Sequence, residues 1–423
     1  MPLPIPPQES DLRLGTPPRG RGGVVGVGSG HGAGETVNPT RTLRSVDWSV
    51  WLAIGGCLAA PFYVFPSGNP QPADLLFVLF MGSLLLMGGG RFTVPASSVS
   101  LVLATLAFTA WVALVNTWWT GATGSLRISK TTLFYVYNAS ILLSFVLAYQ
   151  RYGRAWLVGT VWAISAGLIL QVLLAPAVMR WGALRQELFY NNPNQLAYFA
   201  LLSAMLVFAG SQVLDIPAWL QGLVYLCATA LVVLASSRAA LAGLGVFGVL
   251  LGFRRPTVLL AVGLVALTAL IVADVDPASL YNRGLDLNEE GGRGYHRLLR
   301  YPHYLILGAG EGYIERFSVE DQWHHELHSV FATLLFCYGI VGAALFALMN
   351  GAILRSAGLV GALALVPPYI FGLTHQGLRF TQLWILLGFL ACIGVERRRQ
   401  QRAIPKPADP PSPWRRAELE AAK

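Results

Sequence analysis

Charged residues are scarce in this chain of 423 residues: they make up 12% of it, whereas hydrophobic residues make up 54%. Soluble globular domains carry about 25% charged residues. The composition therefore excludes an ordinary soluble protein and is typical of a chain whose surface faces lipid.

Cysteine is also scarce, and no CxxC pair or other metal-binding spacing occurs. Each cysteine lies in an apolar run, where it acts as a small hydrophobic residue. The four are Cys57, Cys227, Cys337 and Cys392. The segment His325-Glu326-Leu327-His328 is one residue short of the zincin order H-E-x-x-H. We therefore predict neither a metal nor another cofactor.

Long apolar runs dominate the rest of the chain. A run of about 20 residues is enough to cross a hydrocarbon core of ~30 Å. Because lipid cannot satisfy backbone polar groups, such spans must be helices. We predict an all-α integral membrane protein with about twelve transmembrane helices. The predicted spans are 46–65, 73–90, 98–120, 131–150, 155–175, 194–213, 217–235, 238–252, 257–274, 328–350, 356–373 and 379–396.

The spans divide the chain into five segments. Residues 1–45 are rich in Pro, Gly and Arg, lack the apolar core of a signal peptide, and are expected to form a disordered cytoplasmic tail. Residues 46–274 hold the first nine spans, and 275–327 form a long extracytoplasmic loop with part of the active site. Residues 328–396 hold the last three spans, and 397–423 form a basic cytoplasmic tail.

The basic residues predict the orientation. With both termini in the cytoplasm, Arg91, Arg151 and Arg154 lie inside, and the outer loop 64–72 has no Lys or Arg. The net charge of +9 is then mostly an orientation signal and an attraction to the anionic leaflet. No soluble segment interleaves basic and aromatic residues, so nucleic acid is not an expected partner.

The loop 275–327 concentrates charged and aromatic residues, and loops of this length are usually functional or disordered. We predict an ordered loop with an interfacial helix near 293–301. Arg293, Arg297 and Arg300, at spacings of four and three, share one face of that helix. Guanidiniums bind phosphate oxygens bidentately, so this face is a candidate diphosphate site. The alternative is a basic face that anchors the loop to headgroups.

A group of amides precedes the sixth span. Asn194 is placed to cap the helix, and the side chains of Asn192, Asn194 and Gln195 can hydrogen-bond sugar hydroxyls or a phosphate. Arg185, just upstream, adds positive charge. The alternative is a helix cap and a connecting loop without a binding role.

Arg238 lies at the start of the eighth span. The helix dipole disfavours a cation there. The placement makes sense if an anion is shared between Arg238 and the free backbone N–H groups. The alternative is a topology residue that extends toward the interface.

His328 stands where the long loop re-enters the membrane, and Gly339 and Gly342 follow on the tenth span. An ionisable group at such a position is a functional candidate by default. An imidazole titrates near neutral pH and suits a general base that deprotonates a sugar hydroxyl. Its neighbour His325 is a candidate for substrate binding. The alternative is a structural histidine at a helix mouth.

Four blocks in order, spread over about residues 45–396, carry a resemblance to a known family. They are Asn192-Pro193-Asn194-Gln195-Leu196-Ala197, Ser237-Arg238-Ala239-Ala240, Gly292-Arg293 through Gly308-Ala309-Gly310-Glu311-Gly312, and His328 with Gly339 and Gly342. With these blocks the chain resembles the bacterial O-antigen ligase/polymerase superfamily of polytopic membrane proteins.

The resemblance implies a fold similar to membrane glycosyltransferases that use polyprenyl donors. It implies metal-independent, inverting transfer of a glycan from undecaprenyl diphosphate to an acceptor hydroxyl at the periplasmic face of the bacterial inner membrane. Arg238 and Arg293 would hold the diphosphate, and His328 would be the base or position the acceptor. The expected partners are the lipid-linked donor, a glycan or lipid A-core acceptor, and other polysaccharide-assembly proteins.

Three departures from the family pattern leave the acceptor open: Ser329 follows His328 where Asn is usual, Cys337 stands where an acidic residue is frequent, and Pro302 lies farther before the Gly308 block than usual. Ligase and polymerase thus both remain open, and 374–379 is either an acceptor-recognition segment or a simple hairpin. A multi-pass secondary transporter of a small anion or glycan is the alternative class. It should place ionisable residues mid-membrane on discontinuous helices, whereas here polar groups collect at the outer ends of the spans.

Overall fold

The computed structural model describes residues 47–66, 68–87, 96–180, 183, 185–252, 295–317, 327–403 and 421. Within these ranges the regular structure is helical, without β-strands. The predicted ninth span, Arg293, His325 and most of both predicted tails lie outside the described residues.

Eight described helices precede the long loop: α1 Trp48–Ala59, α2 Pro72–Met87, α3 Ala96–Thr123, α4 Leu126–Tyr152, α5 Arg154–Val178, α6 Pro193–Ser211, α7 Ala218–Leu234 and α8 Arg238–Gly252. In the long loop lie the short helices α9 His296–Arg300 and α10 Tyr304–Leu307 and the 3₁₀ turn Ile314–Arg316. The last three are α11 Val330–Ala357, α12 Leu359–Gly372 and α13 Thr381–Ala403.

Each predicted span other than the ninth overlaps a helix of 12 residues or more, although α1 covers only part of the predicted 46–65. Five of the described helices, α3, α4, α5, α6 and α11, are long and apolar enough to cross a membrane. An all-α membrane protein follows from these helices, and the number of twelve spans stays a prediction. The last helix also runs to Ala403, past the predicted end of the span at residue 396.

Local chemistry explains where two of the helices begin. The Asn192 side chain accepts a hydrogen bond from the Asn194 N–H at 2.8 Å, so Asn192 caps α6 in place of the expected Asn194. Pro193 takes the first helical position, where no N–H is needed. Ser329 caps α11 in the same way, its Oγ accepting from the Ala332 N–H at 3.3 Å.

Helix α6 forms the centre of the bundle. Its residues are buried along nearly the whole length, and it packs against α5, α7, α12 and α13. A helix that is apolar on every side is expected to be surrounded by others. Helix α3, by contrast, is mostly exposed and presents side chains such as Leu103, Leu114 and Trp118 outward, as a lipid-facing helix does.

Contacts among helix ends and the segments that connect the helices define two ends of the bundle. At one end Arg151 pairs with Asp47, and Arg154 pairs with Asp215 at 2.6 Å. The Gln400 side chain donates to a backbone carbonyl at residue 213 at that same end. The starts of α4, α6 and α13 meet at the other end, which we call the cavity end.

Helix α11 is broken at Gly339, whose backbone angles are φ 67° and ψ −177°. The break releases carbonyl groups that a continuous helix would use itself. The Ala309 and Gly310 N–H groups donate to the carbonyls of Phe336 and Cys337, each at 2.8 Å. The Trp111 indole N–H donates to the next carbonyl, that of residue 338, also at 2.8 Å. Backbone groups at membrane depth must be satisfied inside the protein, and these contacts satisfy them.

Glycines allow this contact to be so close. A Cβ on Gly339 would lie 2.2 Å from the Ile306 carbonyl oxygen, and one on Gly308 would lie 2.3 Å from the Cys337 carbonyl oxygen. The loop backbone therefore docks directly into the break of α11. Because Ala309 and Gly310 are bound in this way, the next residue, Glu311, is held inside the bundle.

Candidate functional site

A cavity of about 760 Å³ lies at the cavity end, a volume suited to a small-molecule ligand. Its walls come from the α1–α2 connection, the first turns of α4, the start of α6, residues 312–315 and the α12–α13 connection. The acidic residues, basic residues and histidines in the lining are Asp74, Arg127, Lys130, Glu315, His328, His375 and Arg379.

Helix starts make this cavity electropositive. Helices α4, α6 and α13 all begin beside it, and each helix start carries roughly half a positive charge from its free N–H groups. Arg127 and Lys130 lie in the first two turns of α4, and Arg379 lies just before α13. Cations at such positions oppose the helix dipole, so their placement suits a bound anion.

Two carboxylates in the lining are already engaged. Asp74 accepts hydrogen bonds from the Tyr137 hydroxyl and the Gln71 N–H, each at 2.7 Å. Glu315 pairs with Arg127. A hydrogen bond from its own backbone N–H lowers the pKa of the Glu315 carboxyl, and the Arg127 guanidinium lowers it further. This carboxyl is therefore ionised at neutral pH and offsets Arg127.

Glu311 lies behind the cavity wall, with only 4% of its surface exposed. Its carboxylate accepts hydrogen bonds from the hydroxyls of Tyr135 at 2.7 Å and Tyr338 at 2.6 Å. The Gln376 amide donates to it at 3.1 Å, and the Arg379 Nε lies 3.3 Å from the same oxygen. Four side chains thus contact this buried carboxylate, and it holds Arg379 at the cavity.

His328 lines the cavity, as do Asn192, Asn194 and Gln195. The histidine is exposed and directly precedes the cap of α11. The structure thus brings the predicted base and the predicted amides to one cavity, although they are more than 130 residues apart in sequence. An imidazole beside amide groups can accept a proton from a hydroxyl while the amides bind neighbouring hydroxyls.

Arg185 connects two of the predicted segments and does not line the cavity. Its guanidinium donates to the Asn194 side-chain oxygen at 2.8 Å and to the Ala235 carbonyl at 3.2 Å. It thereby ties the start of α6 to the turn before α8. Arg238, the first residue of α8, is exposed and also lies outside the cavity lining.

Arg297 and Arg300 do not share one surface. Arg297 is 2% exposed, with its guanidinium 5.9 Å from the Phe317 ring centre, whereas Arg300 is exposed and lies over the Tyr301 ring. Helix α9 has little more than one turn, and Arg297 lies on its buried side. Neither residue lines the cavity, and Arg293, the third of the predicted face, lies outside the described residues.

Of the cations that line the cavity, the sequence drew attention only to Arg379, as the end of the segment 374–379, and not to Arg127 or Lys130. Arg127 and Lys130 stand in the predicted outer connection between the third and fourth spans, where the positive-inside rule disfavours them. This exception to the positive-inside rule was the signal in the sequence that could have identified them as binding residues. Glu311 lies in the Gly308–Gly312 block, and Arg379 ends the segment before the last span, but nothing in the sequence places the two together.

Among the described residues, no group of three or more His, Cys, Asp or Glu side chains gathers as a metal site would. No protein-family model and no curated protein matches the chain. What the chain does must therefore follow from the cavity and the chemistry of its lining.

Proposed function

We propose that this chain is an inverting, metal-independent membrane glycosyltransferase with about twelve transmembrane helices. It transfers a glycan from undecaprenyl diphosphate to an acceptor hydroxyl in cell-surface polysaccharide synthesis. The observation that carries the proposal is the cavity itself, where His328, the amides of Asn192, Asn194 and Gln195, and fixed cations meet at one end of an apolar bundle. The four sequence blocks that resemble the ligase/polymerase superfamily support it.

The reaction needs a base and a stabilised leaving group. His328 would accept the proton of the acceptor hydroxyl, whose oxygen forms the new bond to the anomeric carbon as the bond to the diphosphate breaks. Single in-line displacement inverts that carbon. The diphosphate leaves with negative charge, so preorganised cations and helix starts stabilise the transition state without a covalent intermediate.

The cavity end would face the periplasm of a bacterial inner membrane, with both termini in the cytoplasm. Arg151 and Arg154 lie at the opposite end of the bundle, and Arg355 ends α11. This distribution matches a cytoplasmic side rich in arginine. A donor flipped to the periplasm would reach the cavity from the outer leaflet.

One observation favours transport as a second candidate. Discontinuous helices are typical of secondary transporters, and α11 is broken at Gly339. In transporters the freed carbonyls coordinate an ion or substrate. Here the Ala309 and Gly310 N–H groups and the Trp111 indole occupy those carbonyls. The break therefore serves loop docking, and the enzyme is the better supported candidate.

The test is product analysis with purified protein in nanodiscs, given an undecaprenyl-diphosphate oligosaccharide with and without lipid A-core. A ladder of longer lipid-linked glycans without added acceptor identifies a polymerase. A single shift that requires lipid A-core identifies a ligase. No bond formation by wild type, together with substrate accumulation in vesicles, would replace the enzyme with a transporter.

In the same assay, His328→Ala should lower the transfer rate by about 10²- to 10⁴-fold, the usual contribution of a general base. The matched control is His303→Ala, because His303 is an exposed histidine outside the cavity lining. Both variants should insert and unfold like wild type. Equal transfer by His328→Ala and His303→Ala would refute the assigned role.

A further inference from the structure

Lys130, on α4, and Arg379, just before α13, both line the cavity. Neither belongs to the blocks that suggested a diphosphate site. Lys130 is exposed toward the cavity, and among the described residues it forms no ion pair. Arg127, its neighbour on α4, is offset by Glu315. Lys130 is thus the cation of this pair that remains available to a ligand.

The side chain of Arg379 is held in place by the buried carboxylate of Glu311. Its Nε lies 3.3 Å from Glu311, and 27% of its side chain is exposed. Glu311 in turn is fixed by the Tyr135 and Tyr338 hydroxyls and by Gln376. A guanidinium positioned in advance loses little entropy when it binds an anion, and its planar fork suits phosphate oxygens.

The placement of the charges favours an anion although their formal number is balanced. Arg127, Lys130 and Arg379 stand against Asp74, Glu311 and Glu315. Glu311 is buried behind the wall, and the other two carboxylates are engaged as described above. The starts of α4, α6 and α13 add roughly half a positive charge each. With Glu311 behind the wall, the lining itself holds these three cations against the two carboxylates Asp74 and Glu315, and the helix starts add further positive charge.

We propose that Lys130 and Arg379 form a diphosphate-binding site, and that Glu311 is the positioning residue that fixes Arg379. The polyprenyl character of the ligand rests on the proposed function. The site replaces neither His328 as base nor the amides as glycan contacts. It assigns the leaving group to the cavity wall formed by α4 and α13.

The first experiment measures binding of farnesyl diphosphate by calorimetry, with purified protein in phosphatidylcholine nanodiscs and farnesol as the uncharged comparison. Lys130→Gln and Arg379→Gln should each raise the Kd by roughly 10- to 100-fold, as expected for loss of a charged hydrogen-bond donor. Arg355→Gln, an exposed arginine on the last turn of α11, is the matched control and should leave the Kd unchanged.

Three results would overturn the site. They are a farnesyl diphosphate affinity no greater than that of farnesol, an unchanged Kd in both variants, and displacement of farnesyl diphosphate by phosphatidylglycerol added to the nanodiscs. The last result would identify a lipid headgroup as the source of the bound phosphate. Binding that resists phosphatidylglycerol supports the diphosphate.

The role of Glu311 is tested in two backgrounds. Glu311→Gln should raise the Kd in wild type and have no further effect in Arg379→Gln, because it acts through that arginine. An equal rise in both backgrounds would show a structural role only. Should Glu311→Gln fail to fold, Tyr135→Phe removes one support of the carboxylate and should show the same dependence on background, with a smaller effect.

Measurements of ligand binding and of glycan transfer test the diphosphate site and the enzyme activity separately. Farnesyl diphosphate binding that depends on Lys130 and Arg379, without any new glycosidic bond, would retain the site and reject the enzyme. Glycan transfer by wild type, with the donor KM unchanged in both variants, would retain the enzyme and reject the site.

Discussion

Replacing Gly339 by alanine should destabilise the protein severely, because two independent costs meet at this position. The backbone angles, φ 67° and ψ −177°, are essentially restricted to glycine. The added Cβ would also lie 2.2 Å from the Ile306 carbonyl oxygen and 2.8 Å from the Gly308 nitrogen. Both neighbouring atoms are backbone, so no side chain can rotate away to make room.

The magnitude follows from these two terms. Holding a non-glycine residue in this backbone region costs about 1–3 kcal/mol. Forcing extra volume into a packed interior costs about 1–3 kcal/mol more. The sum, about 2–6 kcal/mol, is a large share of the total stability of a typical protein. For a chain of 423 residues, it corresponds to a fall in Tm of about 2–7 °C.

The assay is thermal unfolding of purified protein in nanodiscs, followed by tryptophan fluorescence. Gly351→Ala is the matched control, since it lies on the same helix and its added Cβ would meet no atom within 4 Å. Its Tm should stay the same or rise slightly, because alanine favours a helix by up to ~1 kcal/mol. Equal Tm values for the two variants would refute the docking of the loop into α11.

Two further predictions concern hydrogen bonds that hold the same framework. Trp111→Phe removes the indole donor to the Tyr338 carbonyl and should cost about 1–3 kcal/mol, since a backbone acceptor is left unmet at membrane depth; a Tm equal to that of wild type would contradict this. The Asn192 side chain caps α6 by accepting a hydrogen bond from the Asn194 N–H. Asn192→Ala removes this cap and should lower the free energy of unfolding by about 0.5–2 kcal/mol. A Tm near that of wild type for Asn192→Asp, together with a lowered Tm for Asn192→Val, would confirm that the lost cap is the cause.

The positions of the long helices could be predicted because their cause is local. An apolar run of sufficient length becomes a helix in lipid whatever its neighbours do. Predicted and observed helices agree even for α8, which is short and follows Arg238. The ends of the helices were less predictable, since α13 continues to Ala403, beyond the predicted end of its span at residue 396. Hydropathy marks the apolar part of a helix but not a polar extension of it.

Some residues of the cavity lining had been selected from the sequence. The residues that the structure places on one cavity include His328, Asn192, Asn194 and Gln195, all selected for their chemistry at helix starts. Whether these residues act on a glycan stays a prediction. Arg297 was selected from its spacing on a regular helix, but its side chain is buried, whereas that of Arg300 is exposed. Spacing predicts which residues share a face of a helix, but not which side of the helix packs against the protein.

The sequence by itself determined the membrane class and the helical architecture, because both depend on the length and polarity of contiguous runs. Only the tertiary structure decided that Gly308 docks at Gly339, and that Glu311 supports Arg379 at the cavity. Those contacts join segments between about 30 and 70 residues apart. They arise from the packing of backbone and charge between segments, and no local pattern of residues encodes that packing.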